Sequence, residues 1–303
     1  MNKNIYKYWA GFSLLELMVA MMLGLFLIAG VGTVYVSSKQ TYATRNQISE
    51  LDESARVAIN ALREHIEHAG YPSTTGVPVS NYLLPTAFVP AAAACPRSGN
   101  TNIISVNNIY KTKDGTSTGT VGGDSIAVGF LADTQLDVDC TASSWVSRCL
   151  PDNVTDVGLA SREARMVYNS FSVVSSTRKN SINENIPELS CGGSLNVNTQ
   201  PWAQGIEQMQ IRYGVDVLPN PVPIGQKKMW EVDNYWTATE VSNNNAWDKV
   251  ALVQVALLVR TVEPVFPNNQ QMNYQLFEKL VSTNDRYKRA VYTTTIHLRN
   301  IAR

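Results

Sequence analysis

The stretch "GFSLLELMVAMMLGLFLIAG", residues 11–30, decides the fold because it predicts a helix that is apolar on every side and carries one carboxylate. Glu16 lies near its start, and no charged residue follows from Leu17 to Val36. That run is long enough to cross a bilayer core, which takes about 20 apolar residues. A carboxylate inside such a segment is costly unless it is paired, and such groups are usually functional. The segment therefore predicts a membrane helix with one carboxylate, Glu16, near its start, whose partner the run itself does not identify.

The helical pattern continues beyond the apolar run and becomes amphipathic. From Arg45, in "RNQISELDESARVAINALREHIEHAGYP", apolar side chains recur at steps of three and four and form one stripe. The stripe consists of Ile48, Leu51, Ala55, Ala58, Ile59, Leu62, Ile66 and Ala69. Gly70 and Pro72 mark the end of the helix. The pattern predicts one helix from about Ser13 to Ala69 whose second half lays its stripe on a globular head.

The chain after Pro72 has the pattern of a sheet-rich domain. Turn-forming residues dominate positions 73–125, and short β-branched and apolar runs follow. Strands are predicted in the runs that begin at Asp124, Ala164, Ile206, Val250 and Arg289. The run "VALVQVALLVRTV" from Val250 suits a buried strand or a short helix, and its valine content favours the strand. The predicted class is α+β, with the long helix packed on a mainly antiparallel sheet.

Charge and composition exclude some classes of function. Lys and Arg together number 25, as do Asp and Glu, so the net charge is zero. General nucleic-acid binding draws its affinity from clustered basic residues, and no such cluster is present in the sequence.

The four cysteines, Cys95, Cys140, Cys149 and Cys191, all follow the apolar run and have no zinc-type spacing. An even number of well-separated cysteines beyond a membrane segment predicts disulfides in an oxidising compartment. The alternative is four buried free thiols. Of the three possible pairings, we favour Cys140 with Cys149, which closes a short loop, and Cys95 with Cys191.

Candidate catalytic and metal-binding residues are few. His65 and His68 stand three residues apart near the charged face of the helix, which favours a solvated face over a metal site. The sequence contains no Gly-x-Ser-x-Gly, His-Glu-x-x-His or P-loop motif. We therefore predict no catalytic residue, no cofactor and no metal, and a protein that is not an enzyme.

The junction "GFSLLELMVAMMLG" resembles the leader and N-terminal helix of type IV pilins and of type II secretion pseudopilins. That pattern is a short basic leader ending in Gly, followed by Phe-[ST]-x-x-Glu, and it is matched at Gly11, Phe12, Ser13 and Glu16. The remainder resembles the PilW group of minor pilins in "ALREHIEHAGYP", "WAQGIEQMQIRYGVD", "DKVALVQVALLVRT" and "RAVYTTTIHLRN". One departure is the absence of the helix proline that major pilins commonly carry, here in the Gly32-Thr33 region.

The resemblance implies processing between Gly11 and Phe12 by a prepilin peptidase that also methylates the new amine. The domains would then be a cleaved leader at 1–11, the pilin helix at 12–70, and a periplasmic head at 71–303. The amine of Phe12 would supply the cation for Glu16, either within one helix or between staggered subunits. A Glu16 that merely reaches back to the bilayer edge is the alternative.

The resemblance also implies a function and a location. We predict a minor pilin that helps to initiate type IV pilus assembly and is incorporated near the filament tip. Its partners would be other minor pilins, the major pilin, the prepilin peptidase, the inner-membrane assembly platform, a large tip-associated adhesin and, before assembly, the lipid bilayer. Before assembly it would lie in the bacterial inner membrane with its head in the periplasm. The alternatives are a pseudopilin of a type II secretion system and a tip-displayed adhesin or DNA-uptake module.

Overall fold

The computed structural model describes residues 11–71, 82–85, 112–115, 121–133, 135–144, 166–196, 198–216, 232 and 234–300. The chain divides into two compact units, Met1–Gln47 and Ile48–Arg303. Each is described by itself below, although one helix contributes residues to both.

Helix α1 comprises Leu14–Glu67, close to the predicted bounds. Ser13 caps its start, since the Ser13 Oγ accepts a hydrogen bond from the Leu15 N–H at 3.2 Å. At its other end Gly70 has a φ of 77°, the left-handed conformation that terminates helices. The Gly70 N–H then donates to the Gly129 carbonyl at 3.0 Å, which ties the helix end to a strand of the head.

The head contains eleven strands among the described residues. They are β1 (Gly122–Gly123), β2 (Ile126–Leu131), β3 (Met166–Lys179), β4 (Asn185–Gly193), β5 (Gln200–Gln204), β6 (Ile206–Val215), β7 (Asn234–Trp236), β8 (Val250–Arg260), β9 (Gln270–Leu276), β10 (Lys279–Asp285) and β11 (Arg289–His297). A short helix, α2, comprises Ala238–Asn243, where Thr237 and Glu240 form a capping box.

These strands form two main sheets and a hairpin. In the first sheet, which we call sheet one, the order is β1-β6-β8-β11, with β7 also paired to β6. Sheet two has the order β2-β3-β4-β5, and β9 pairs with β10 in a separate hairpin. Among the named strands every pairing is antiparallel except that of β1 with β6. The α+β class with a mainly antiparallel head is confirmed.

A single glycine makes the corner between the two sheets. Gly205 separates β5 from β6 and has a φ of 74°. A Cβ at this position would lie 2.4 Å from the Arg260 carbonyl oxygen, so only glycine fits the close approach. The Gly205 N–H donates to the Pro187 carbonyl of β4, in sheet two, and the Gly205 carbonyl accepts from the Arg260 N–H of β8, in sheet one. These two hydrogen bonds join the corner to both sheets.

Strand β8 is buried on both faces, which explains its nearly continuous apolar sequence. Its odd-numbered residues, from Val253 to Val259, share a core with the second half of α1. Its even-numbered residues Ala256 and Leu258 pack instead with Leu276 and Val281 of the β9–β10 hairpin. The predicted choice of strand over helix for this run is confirmed.

Candidate functional site

The predicted processing and assembly residues lie at the start of α1. Phe12 is exposed, and Glu16 lies exposed in the first helical turn. With Ser13 as the N-cap, Glu16 occupies the third helical position, where the helix dipole favours a negative charge. Phe12 and Glu16 are four residues apart, so an amine formed at Phe12 by cleavage would lie about one turn from the carboxylate.

The first half of α1 exposes its large apolar side chains. Those more than half exposed include Leu17, Met18, Met22, Leu25, Phe26, Ile28, Val31 and Tyr35. Within the described residues, α1 is the one helix whose length and composition suit a membrane crossing, and its most apolar stretch has no buried residue. Such a surface must be covered by lipid or by other helices, because an exposed apolar area this size is a binding surface.

The second half of α1 buries its stripe in the head as predicted. Leu51, Ala55, Ala58, Leu62 and Ile66 are all buried in the main core. Ile48 and Ile59, at the rim of the stripe, are more exposed. The amphipathic half is thus a structural part of the head.

Polar contacts fix the same half of α1 alongside β11. The Arg63 guanidinium donates to the Thr294 hydroxyl at 2.8 Å. The Tyr292 hydroxyl donates to the Asp52 carboxylate. Past the end of the strand, the Asn300 amide donates to the Glu67 carbonyl at 2.7 Å.

His65 is buried, which corrects the prediction that it lies on a solvated face. The His65 ring packs against two aromatic rings. Its centroid lies 5.3 Å from that of Phe171, which is tilted, and 5.4 Å from that of Trp202, which is edge-on. The Asn169 amide donates to the His65 Nδ1 at 3.1 Å, so this nitrogen is an acceptor and the ring is neutral. Burial, with a smaller contribution from His68, lowers the pKa of His65 to about 4. Apolar spacing could have revealed this, because position 65 lies one turn beyond the buried Ala61.

The structure joins Cys140 to Cys191, with Cα atoms 6.2 Å apart. The predicted pairings of Cys140 with Cys149 and of Cys95 with Cys191 are therefore wrong, although the prediction of a disulfide is confirmed. Cys95 and Cys149 lie outside the described residues.

The physical reason for this pairing is how the turn around Cys140 is anchored on sheet two. The buried Asp139 accepts from the Leu195 N–H at 2.9 Å, and the Cys140 N–H donates to the Asn169 side chain at 2.9 Å. These contacts place Cys140 over β4, where Cys191 lies.

A buried ionic cluster joins four strands of the head, β6, β8, β10 and β11. The Arg289 guanidinium contacts the Glu207 carboxylate at 2.6 and 3.0 Å and the Asp285 carboxylate at 2.6 and 2.7 Å. The Arg260 guanidinium lies 3.6 Å from Glu207 and 3.8 Å from the centre of the Tyr287 ring. Charge-assisted hydrogen bonds join Arg289 to Glu207 and Asp285, whereas the Nε and Nη1 atoms of the buried Arg260 have no hydrogen-bond partner within the described residues. The cluster is a structural feature of the core.

The described residues contain no group of three or more His, Cys, Asp or Glu side chains that could hold a metal ion. His68, the second histidine of the candidate pair, is partly exposed, and its ring centroid lies 6.4 Å from that of Phe130.

Comparison with known proteins adds a family. The family model of the Type IV Pilus-assembly protein W, PilW, matches residues 171–300. No curated protein shows a significant match to the chain. Among solved structures, the chain is similar to a type IV-like pilin, TTHA1219 from Thermus thermophilus, with 12% identity over 59% of this chain and 79% of that chain. The TM-score of that comparison is 0.29, which is too low to carry an argument.

The matched region contains β4 to β11 and most of β3, so it includes sheet one except β1, and also the β9–β10 hairpin. An apolar helix with the Phe-[ST]-x-x-Glu pattern precedes it, as a pilin requires. Residues 171–300 thus match the PilW family model, and the helix that precedes them has the sequence pattern of a type IV pilin.

Proposed function

We propose that this protein is a minor pilin that helps to initiate type IV pilus assembly and is incorporated near the filament tip within a complex of minor pilins. The observation that carries this proposal is the exposure of the apolar half of α1, with Glu16 in its first turn, beside a head that has its own buried core. The apolar half would lie in the bacterial inner membrane before assembly and among the helices of other pilins afterwards. The head, whose apolar core is already buried, does not need to move from lipid into contact with other helices.

In this proposal Glu16 sets the register of assembly. After cleavage behind Gly11, the methylated amine of Phe12 is a cation in the same apolar layer as the carboxylate. A pair of opposite charges there is tolerable where either alone is costly. Glu16 of one subunit would meet the amine of the subunit above it, so this protein would lie below at least one other subunit and would not be the outermost cap.

The proposal assigns a non-enzymatic role and a set of partners. These are the other minor pilins, the major pilin, the prepilin peptidase and the assembly platform of the inner membrane. A large adhesin at the tip would lie beyond the minor pilins.

The first experiment tests processing. Gly11→Val should block cleavage and leave the full-length chain in the membrane, whereas the unaltered protein should have the intact mass of a chain that starts at methylated Phe12. A start after residue 30 would contradict the pilin reading, because the apolar helix would then be absent from the mature protein.

The second experiment tests Glu16. Glu16→Ala should leave the head folded but reduce co-purification with the other minor pilins from membranes. Glu53→Ala is the matched control, because Glu53 is an exposed carboxylate on the same helix beyond the apolar run. Undiminished recovery of Glu16→Ala with normal piliation would show that the charge has no assembly role.

A gene deletion separates a pilus from a secretion system. Loss of surface pili with normal protein secretion is expected. Loss of secretion with normal pili would assign the protein to a secretion system instead.

A further inference from the structure

Strand β11 is the last strand of sheet one and has a free edge among the described residues. Its partner is β8, to which it pairs from Arg289 opposite Arg260 to His297 opposite Leu252. This ladder runs without a bulge or shift of register. In the described parts of the chain no strand or isolated bridge pairs with its other side.

Two flanking hydrogen bonds show which backbone groups point outward. The Thr261 N–H donates to the Lys288 carbonyl at 2.9 Å, and the Leu298 N–H donates to the Ala251 carbonyl at 3.0 Å. In an antiparallel ladder the residues bonded to the neighbour alternate, so the even-numbered residues of this strand face β8. The N–H and C=O groups that point away from β8 belong to Arg289, Val291, Thr293, Thr295 and His297.

The other strands at sheet ends, β1, β2, β5 and β7, differ from this edge, and the outer side of β2 is bridged by Leu83 opposite Val128. Strands β1 and β7, which lie along the outer side of β6, have two and three residues. Strand β5, at the end of sheet two, has five residues, includes Pro201, and shifts register against β4. Short strands, proline and bulges are the usual protection of an edge against pairing with another chain. Strand β11 has nine residues and none of these features.

The edge is rimmed by positive charge. The segment "KRAVYTTTIHLR", residues 288–299, contains three cations, Lys288, Arg289 and Arg299, and no acidic residue. Arg289 is buried and paired, whereas Lys288 and Arg299 are exposed. Exposed Arg63 of α1 adds a further cation above Thr294. The same helix also carries acidic side chains: Asp52 accepts a hydrogen bond from the Tyr292 hydroxyl, and the exposed Glu64 follows Arg63.

We propose that the free edge of β11 receives an extended, acidic segment of a neighbouring pilus subunit as an added strand. This inference rests on the proposed function, which supplies the class of partner. Backbone hydrogen bonds to the outward-facing residues give the affinity, and the basic rim selects an acidic strand. A second copy of this chain fits less well, because pairing two β11 edges brings their basic rims together.

The first test is photo-crosslinking in cells that assemble the pilus. A photoreactive phenylalanine derivative replaces Thr295, at the outward edge, and in a control chain replaces the exposed Lys179 at the tip of the β3–β4 hairpin. The expected result is a covalent adduct of the Thr295 chain with an acidic segment of another pilus subunit. An absent adduct, an adduct with a second copy of this chain, or one with a basic segment would overturn the proposal.

The second test removes one outward N–H. Thr295→Pro should reduce co-purification with the crosslinked subunit at least tenfold, while Thr295→Ala, which keeps the N–H, should not. Proline is tolerated at an edge because the lost N–H does not face β8, and an unchanged melting temperature checks this. Arg299→Glu, which leaves the backbone intact, should weaken the association several-fold at low salt. Equal recovery of the Pro, Glu and unaltered chains would overturn the proposal.

These results are separable from those on the proposed function. Normal processing at Gly11 and normal piliation without an adduct at Thr295 would overturn strand addition alone. An adduct with a protein outside the pilus would contradict the partner class and, with it, the proposed function.

Discussion

The two halves of α1 differ in what covers them, although they belong to one uninterrupted helix. Before Gln47 the large apolar side chains are exposed, as for Phe26, which is 78% exposed. After Ile48 the stripe from Leu51 to Ile66 is buried by the strands of the head. The first half has apolar residues on every side and no counterpart in the described part of this chain. Its covering must come from another molecule, whereas the second half obtains its covering from its own sheets.

Because of this difference, the two halves of α1 should contribute to different free energies, one of folding and one of association. The second half should determine the stability of the head, and the first half should determine membrane insertion and association. Substitutions that change one of these quantities without the other test the division.

The disulfide should give the largest loss of head stability. Cys140 and Cys191 are separated by 51 residues, and closing a loop of that length restricts the unfolded chain by about 4 kcal/mol in the chain-entropy model. The double change Cys140→Ala with Cys191→Ala should therefore lower the free energy of unfolding of the head by roughly that amount. Chemical denaturation followed by tryptophan fluorescence measures it. An unchanged midpoint would mean that this bond does not constrain the head.

Leucine substitutions in the two halves should differ sharply. Leu62 is fully buried, so Leu62→Ala should destabilise the head by about 2–5 kcal/mol through lost contacts and the cavity left behind. Leu25 is exposed, so Leu25→Ala in detergent should leave the unfolding of the head unchanged. A comparable loss of head stability in both variants would erase the distinction between the halves.

Acid should lower the free energy of unfolding of the head, in which the second half of α1 is buried. The pKa of His65 is lowered to about 4 in the folded protein, so the unfolded chain binds the proton first as pH falls. The contribution of neutral His65 is present above its ordinary pKa of about 6.5 and is lost progressively down to about pH 4, up to about 3 kcal/mol.

The measurement is head unfolding as a function of pH. His65→Leu should remove much of the loss between pH 6.5 and 4, because no proton can bind there. His68→Gln is the control and should keep it, since His68 is only partly buried. Identical pH profiles for the unaltered protein and His65→Leu would show that another group causes the acid sensitivity.

The helix and several strands could be predicted from sequence because their signals are local. The apolar run after Glu16 and the stripe from Leu51 to Ile66 repeat at helical spacing over many turns, so neighbouring residues alone specify α1. The strands β2, β3, β6, β8 and β11 were likewise predicted from β-branched and apolar runs. The hairpin β9–β10 was not, because "QQMNYQL" is mostly polar and buries mainly its last residue, Leu276.

The interactions that join distant segments could not be predicted. The disulfide depends on a turn that Asp139 anchors to Leu195, which lies far along the chain. The ionic cluster depends on a register shift between Ile206 and Gln208, where Glu207 meets Arg260 of the neighbouring strand β8 and Arg289 of β11, the next strand of the sheet. Sheet register decides which of these distant side chains meet, and the pattern of apolar and polar residues does not show that register directly.

Substitution of a glycine in the first half of α1 should have the smallest effect on the stability of the folded head. At Gly30 an added Cβ would meet nothing within 4 Å, so no contact within the described chain requires a glycine. Gly30→Ala should stabilise the helix itself by roughly 0.5–1 kcal/mol and leave head unfolding unchanged. If Gly30 instead allows a neighbouring helix to approach closely, the added methyl should reduce co-purification with the other pilins, and Gly30→Leu should reduce it further. A graded loss of association at constant head stability would confirm that the first half of α1 is shaped by its neighbours. Full association of the Leu variant would show that this glycine has no packing role and would narrow the assembly surface to the other side of the helix.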